Sequence, residues 1–122
     1  MSRRHIFLVL FLIAVLVGSA LADQEKDQKK REAQLRTVKG QVLDSNENPI
    51  ATAIVYLKNT RTLAVKTQIT DDHGNYRFSG LDPNVDYELS AKYKDESSPT
   101  RTVSSFDTRK EITLHLKIKT KS

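Results

Sequence analysis

The stretch Ile112-Thr113-Leu114-His115-Leu116-Lys117-Ile118-Lys119 carries the reading of the fold. Ile112, Leu114, Leu116 and Ile118 alternate with Thr113, His115, Lys117 and Lys119. A helix would scatter those four apolar side chains around its circumference, whereas a strand puts them on one face, so the period of two predicts a strand with an inward apolar side. Lysines on its outward side discourage edge pairing with another chain. Upstream, Tyr87, Leu89, Ala91 and Tyr93 alternate with Glu88, Ser90, Lys92 and Lys94, which predicts a strand over about Asp86 to Lys94. Val38, Gly40 and Val42 alternate with Lys39 and Gln41 in the same way.

The intervening text fills in the remaining strands. Ala53 to Lys58 sets Ala53, Val55 and Leu57 against Ile54 and Tyr56, predicting a strand covered on both faces. It follows the turn-rich Asp44-Ser45-Asn46-Glu47-Asn48-Pro49. A strand over about Leu63 to Thr70 leads through Asp71-Asp72-His73-Gly74-Asn75 to Tyr76-Arg77-Phe78, the pattern of a hairpin with Gly74 at positive φ. Gly80-Leu81-Asp82-Pro83-Asn84 closes the next connection, and a weaker strand runs from Arg101 to Ser105 around Val103, with Phe106 just beyond it. Seven short strands separated by turn signals predict an all-β fold, a seven-stranded antiparallel β-sandwich of immunoglobulin-like kind over residues 37–122.

The start of the chain is of another character. Arg3 and Arg4 precede the apolar run Ile6 to Val17, and Ala20-Leu21-Ala22 follows as a cleavage signal, so residues 1–22 read as a signal peptide. The run falls short of the roughly 20 residues that cross a hydrocarbon core, and no stable membrane insertion is expected after cleavage. Residues 23–36 are almost all charged or amide-bearing and read as a flexible linker. Export to a periplasmic or extracellular location follows. The formal charge of +5 falls to about +3 once Arg3 and Arg4 leave, and the remaining basic residues are interspersed with acidic ones, which argues against nucleic acid as a partner. With no cysteine, disulfides and thiolate metal sites are excluded.

The spaced motifs Gly40-x-Val42-x-Asp44, Pro49-Ile50-x-x-Ala53-x-Val55-x-Leu57, Thr70-Asp71-x-x-Gly74-x-Tyr76-x-Phe78, Leu81-x-Pro83 and Tyr87-x-Leu89 resemble the carboxypeptidase regulatory-like domain, a transthyretin-like β-sandwich. The resemblance implies a fold with a structural or protein-binding role, and the motif residues are turn and core positions without a catalytic group. Asn48 stands where that family often has Gly before Pro; Asn tolerates a left-handed conformation there, while Pro49 biases it toward an extended one.

Candidate chemistry is sparse. Beyond the signal only His73 and His115 remain, neither in a nucleophile or zinc-protease pattern, so no enzyme activity and no cofactor are expected. His115 is expected to be solvated on the outward face of the last strand. Asp71, Asp72 and His73 are the densest group of possible metal ligands, although Asp and Asn beside Gly also suit a tight turn. An isopeptide cross-link of the pilin-domain kind would join a lysine on the first strand to an asparagine on the last; Lys39 is present, but no asparagine follows Asn84. Carbohydrate binding is disfavoured because Trp is absent and most Tyr and Phe belong to the alternating core. What remains is an envelope module holding a protein partner, with Ile54 and Tyr56 as the contact patch if both are exposed, or an accessory subunit of a separately encoded enzyme or transporter.

Overall fold

The computed structural model describes residues 34–120, so the expected signal at 1–22 and the lead-in up to residue 33 lie outside the described residues. The strands in chain order are β1 (Arg36–Leu43), β2 (Ile54–Asn59), β3 (Val65–Ile69), β4 (Asn75–Leu81), β5 (Tyr87–Tyr93), β6 (Glu96–Ser97), β7 (Arg101–Val103), β8 (Glu111–Thr113) and β9 (Leu116–Lys117). One sheet is centred on β1, flanked by β4 on one side and by β8 and β9 on the other. In the second sheet β2 lies between β3 and β5, and β5 also pairs with β6 and β7. Alternate residues of the two sheets meet between them: Val38, Val42, Tyr76 and Phe78 from the first, Val55, Leu57, Leu89 and Ala91 from the second, all buried. A fully buried Leu or Val of this kind contributes about 1.5–3 kcal/mol through area removed from water.

Two features depart from the antiparallel seven-strand expectation. The strand predicted over 112–119 is interrupted at Leu114 and His115, and both of its halves, β8 and β9, pair with β1 in parallel. Parallel neighbours need a long crossover, and here the whole of β2 to β7 supplies it. The interruption has a local cause at Gly40: a Cβ built there would stand 1.9 Å from the Leu114 carbonyl oxygen, so the missing side chain is what lets Leu114 approach β1. The second departure concerns residues 71–75, which do not form a hairpin. β3 belongs to one sheet and β4 to the other, and the turn carries the chain between them.

That turn is locked by its own aspartate, and the same device occurs at residues 44–48. Asp71 Oδ1 accepts from the His73 and Asn75 amides (2.9 and 2.8 Å), and Asp44 Oδ1 accepts from the Asn46 and Asn48 amides (both 2.9 Å). In each turn the aspartate's own amide donates to the carbonyl four residues on, and its carbonyl accepts from the amide three residues on. The residue at that third position is left-handed in both: Gly74 at φ 75° and Glu47 at φ 65°. Asn48, which Pro49 biases toward extended backbone, stays out of the left-handed region; Glu47 takes it, because the aspartate-capped geometry fixes the positive φ one residue earlier. A left-handed non-glycine residue costs about 1–2 kcal/mol, partly offset by the greater chain entropy that glycine loses on folding. Glu47→Gly is expected to raise stability by about 0.5–1 kcal/mol despite losing its exposed ion pair to Lys117, a gain readable as a higher urea midpoint with an unchanged slope.

β1 begins at Arg36, inside the stretch expected to be a flexible lead-in. Arg36 is only 2% exposed. Its Nη1 donates to the carbonyls of Ser104 (2.7 Å) and Asp107 (3.4 Å), and its Nη2 to those of Val85 (2.7 Å) and Asp82 (3.1 Å). One guanidinium thus ties the connection before β5 to the connection after β7. Four carbonyl dipoles take the place of a carboxylate partner, which is how a charge this deeply buried is accommodated.

Candidate interaction surface

The two outer faces of the sandwich differ in chemistry. On the outside of the first sheet, Lys39 Nζ lies 2.7 Å from Glu111 Oε1, with Arg77 Nη1 3.8 Å from the same oxygen. The Lys39 contact holds the Glu111 carboxyl below its usual range. Lys39, the lysine that an isopeptide cross-link would use, is therefore in an ion pair. Gln41 sits beside them, its amide donating to His115 Nδ1 (3.1 Å) and its side chain to the His73 carbonyl (3.0 Å). His115 is exposed, as expected, but it is not merely solvated: its ring accepts an amide that the strand interruption would otherwise leave without a partner. Lys39, Gln41, Arg77 and His115 line a shallow depression of about 380 Å³.

On the outside of the second sheet exposed apolar side chains stand among Lys58, Glu88 and Lys92. Ile54 is exposed and lies directly opposite Ile69 of β3, and Val65 is opposite Lys58. Ile69 is 65% exposed, and Leu63 and Val65 are also exposed. The expectation that β2 is covered on both faces thus fails on this side, because among the described residues no layer packs outside the second sheet; Tyr56 beside them is half-buried. Phe106 is 91% exposed, so one aromatic is also outside the core that was expected to claim it.

Asp71, Asp72 and His73 share the locked turn, and the structure brings them together only as turn neighbours. Asp71 spends both carboxylate oxygens within the turn, Oδ2 accepting from the Asn75 side chain at 3.3 Å. No group of three or more His, Cys, Asp or Glu able to hold a metal ion occurs among the described residues. The Asn75 amide is the main cause holding the Asp71 carboxyl below its usual range. Asp86 is lowered chiefly by the Ser105 amide, and Asp107 falls to about 2 through its hydrogen bonds from Arg109. Each folded-state value lies below the unfolded one, so the ionised forms stabilise the fold above about pH 4, and that contribution is lost as the pH falls through the folded values. Stability is therefore expected to decline between about pH 4 and pH 2, and Asp107→Asn to flatten the decline; urea unfolding across this range reads both.

The motif residues divide into two roles. Ala53, Tyr76, Phe78, Leu81, Tyr87 and Leu89 are buried, while Gly40, Asp44 and Gly74 set a close approach and two turns. Pro49 bridges to Leu43 and lies against Gly74, and Pro83 follows Asp82, whose amide donates to the Tyr87 hydroxyl at 2.9 Å. Burial raises the Tyr76 phenol above its usual range, and its hydroxyl donates to the Leu114 carbonyl. Thr70 was not singled out from sequence beyond its motif, yet its buried hydroxyl joins the Ile50 carbonyl (2.8 Å) to the Ala53 amide (2.9 Å). Arg36 was missed as well, although it continues the inward alternation of Val38, Gly40 and Val42.

These features define a class: a two-sheet β-sandwich with aspartate-locked turns whose accessible features are sheet faces and an open edge. The chain belongs to the carboxypeptidase regulatory-like domain family, which matches residues 37–117. It is similar to serine-aspartate repeat-containing protein F of Staphylococcus epidermidis, 35% identical over 75 residues that make up 62% of this chain and 4% of that protein. The fold resembles the major pilin subunit BcpA of Bacillus cereus (TM-score 0.54, 15% identity, 70% of this chain and 30% of that one). It equally resembles catechol 1,2-dioxygenase of Acinetobacter sp. ADP1 (TM-score 0.54, 11% identity, 70% of this chain and 52% of that one). The chain spans about half or less of the length of each of these proteins, and at such identities the structural likenesses speak to fold alone. No helix among the described residues is long and apolar enough to cross a membrane.

Proposed function

We propose that the protein is an exported, non-enzymatic module of the cell envelope that holds a protein partner on the outer face of its second sheet. The observation that carries this reading is the exposed apolar stripe of Ile54, Val65 and Ile69, set against an opposite face whose charges are paired with one another. Exposed apolar surface of this kind, rimmed by polar residues, is characteristic of protein contact sites. Family membership supports a structural role, and the engagement of Asp71, Glu111 and His115 in turns and pairs supports a chain without catalytic groups. Capture from the native compartment tests it, with Ile54→Lys and Tyr56→Ser introduced separately. A bound protein that weakens at least tenfold on Ile54→Lys supports the reading. Unchanged capture by both variants removes this face from it, and turnover of a substrate that depends on His73 or His115 removes the non-enzymatic reading altogether. A stoichiometric enzyme as the captured protein would favour the accessory-subunit role.

A further inference from the structure

The free edge of the second sheet narrows the choice of partner, in an inference that rests on the binding-module reading. Among the described residues β3 pairs with β2 alone and ends the sheet. The Thr70 amide donates to the Ala53 carbonyl and the Ala64 carbonyl accepts from the Asn59 amide, both at 2.9 Å, so even-numbered residues of this strand turn their backbone groups toward β2. By the alternation of an antiparallel ladder, the N–H and C=O groups of Val65, Thr67 and Ile69 point away from the sheet. The cross-strand register puts the side chains of the same three residues on the outer face with Ile54, Tyr56 and Lys58, and those of Lys66 and Gln68 on the other. An edge that presents both open hydrogen-bonding groups and apolar side chains is a template for another strand.

We infer that β3 pairs antiparallel with β3 of a second copy of this chain, about a two-fold axis at Thr67. In that register Thr67 faces its own counterpart, Val65 faces Ile69 of the second copy and Ile69 faces Val65, so about six backbone hydrogen bonds form and apolar residues meet apolar residues. Lys66 falls opposite Gln68 of the second copy. Centring the axis on Lys66 would instead oppose two lysines, and centring it on either Lys66 or Gln68 leaves only two of the three open residues paired with one another. Charge is complementary along the seam as well. Arg61 lies beyond one end of β3 and Asp71-Asp72 beyond the other, and antiparallel pairing brings the basic end of each copy to the acidic end of its mate. The isologous contact closes on itself and uses up the edge, so the product is a dimer with one continuous sheet and not a fibre.

A single strand pair is a small interface, so the dissociation constant is expected on the order of 10–100 µM. Sedimentation equilibrium of the exported protein from about 5 µM to 1 mM, with amide hydrogen exchange on the same samples, tests the proposal. The expected result is a dimer at high concentration, with protection of the Val65, Thr67 and Ile69 amides rising with concentration while those of Lys66 and Gln68 stay constant. Thr67→Pro removes an outward N–H without touching the ladder to β2 and is expected to leave a folded monomer. Should that variant fail to fold, Val65→Lys with Ile69→Lys, which opposes like charges across the seam, is expected to do the same. A protein monomeric at 1 mM overturns the pairing, as does a dimer that survives either variant. Neither result touches the binding-module reading, which fails on the capture and turnover outcomes instead.

Discussion

Arg36→Ala is expected to lower the folding free energy by roughly 3–5 kcal/mol, a large share of the 5–15 kcal/mol that holds a small domain together. Alanine at this position removes the guanidinium from four carbonyls in two separate connections, those of Asp82, Val85, Ser104 and Asp107, and leaves a cavity where it lay. The Asp82 and Ser104 carbonyls keep the Val85 and Asp107 amides as donors, whereas those of Val85 and Asp107 are left unpaired, which costs more than the net gain of making their hydrogen bonds. Arg36→Lys tests the geometry separately from the charge. An ammonium keeps the charge but has three donors around a single nitrogen, and it cannot reach carbonyls lying on both arms of a planar fork. It should therefore recover less than half of the loss. Urea unfolding at pH 7 reads both variants, and a loss below about 1 kcal/mol for Arg36→Ala would show that the connections hold without the guanidinium.

The second large effect is expected at Gly40. A Cβ there meets the Leu114 carbonyl oxygen at 1.9 Å and its carbon at 2.7 Å, and backbone cannot yield as a flexible side chain can. Gly40→Ala must push the 114–115 segment away from β1, which strips the Tyr76 hydroxyl of its acceptor and the Gln41 amide of His115 Nδ1. A loss of about 3 kcal/mol or more is expected, together with faster exchange of the Gln41 amide. Gly80→Ala is the contrasting substitution. Gly80 has the positive φ, 71°, that Gly40 lacks, and nothing lies within 4 Å of its would-be Cβ, so only the backbone cost of about 1 kcal/mol applies there. A loss at Gly40 no larger than the one at Gly80 would mean that the 114–115 segment yields to a Cβ at little cost, and would overturn the close-approach account.

Legibility of the candidate surface was partial for a definite reason. Ile54 was read as either covered or a contact residue, because alternation along a strand tells which residues share a face but not whether a further layer lies over that face. Ile69 and Val65 belong to the same stripe, yet in sequence they differ in no way from core residues such as Val55 and Leu57. The metal candidates were legible as a cluster, but whether Asp71 was available depended on the direction of its carboxylate, which the turn fixes inward on the His73 and Asn75 amides.

What the residues alone determined was local: the period of two marked β1, β2 and β5 and the segment that becomes β8 and β9, the Asp-x-x-Gly-Asn run marked a turn, and the spaced motifs pointed to the carboxypeptidase regulatory-like family. Only the tertiary structure decided that β8 and β9 run parallel to β1, that the turn at 71–75 crosses between sheets, and that Arg36 lies inside. Each of these is a choice among partners distant along the chain. Backbone hydrogen-bonding groups are the same at every residue, so strand sequence fixes which way side chains face while packing of the whole domain selects which strand, or carbonyl, stands opposite.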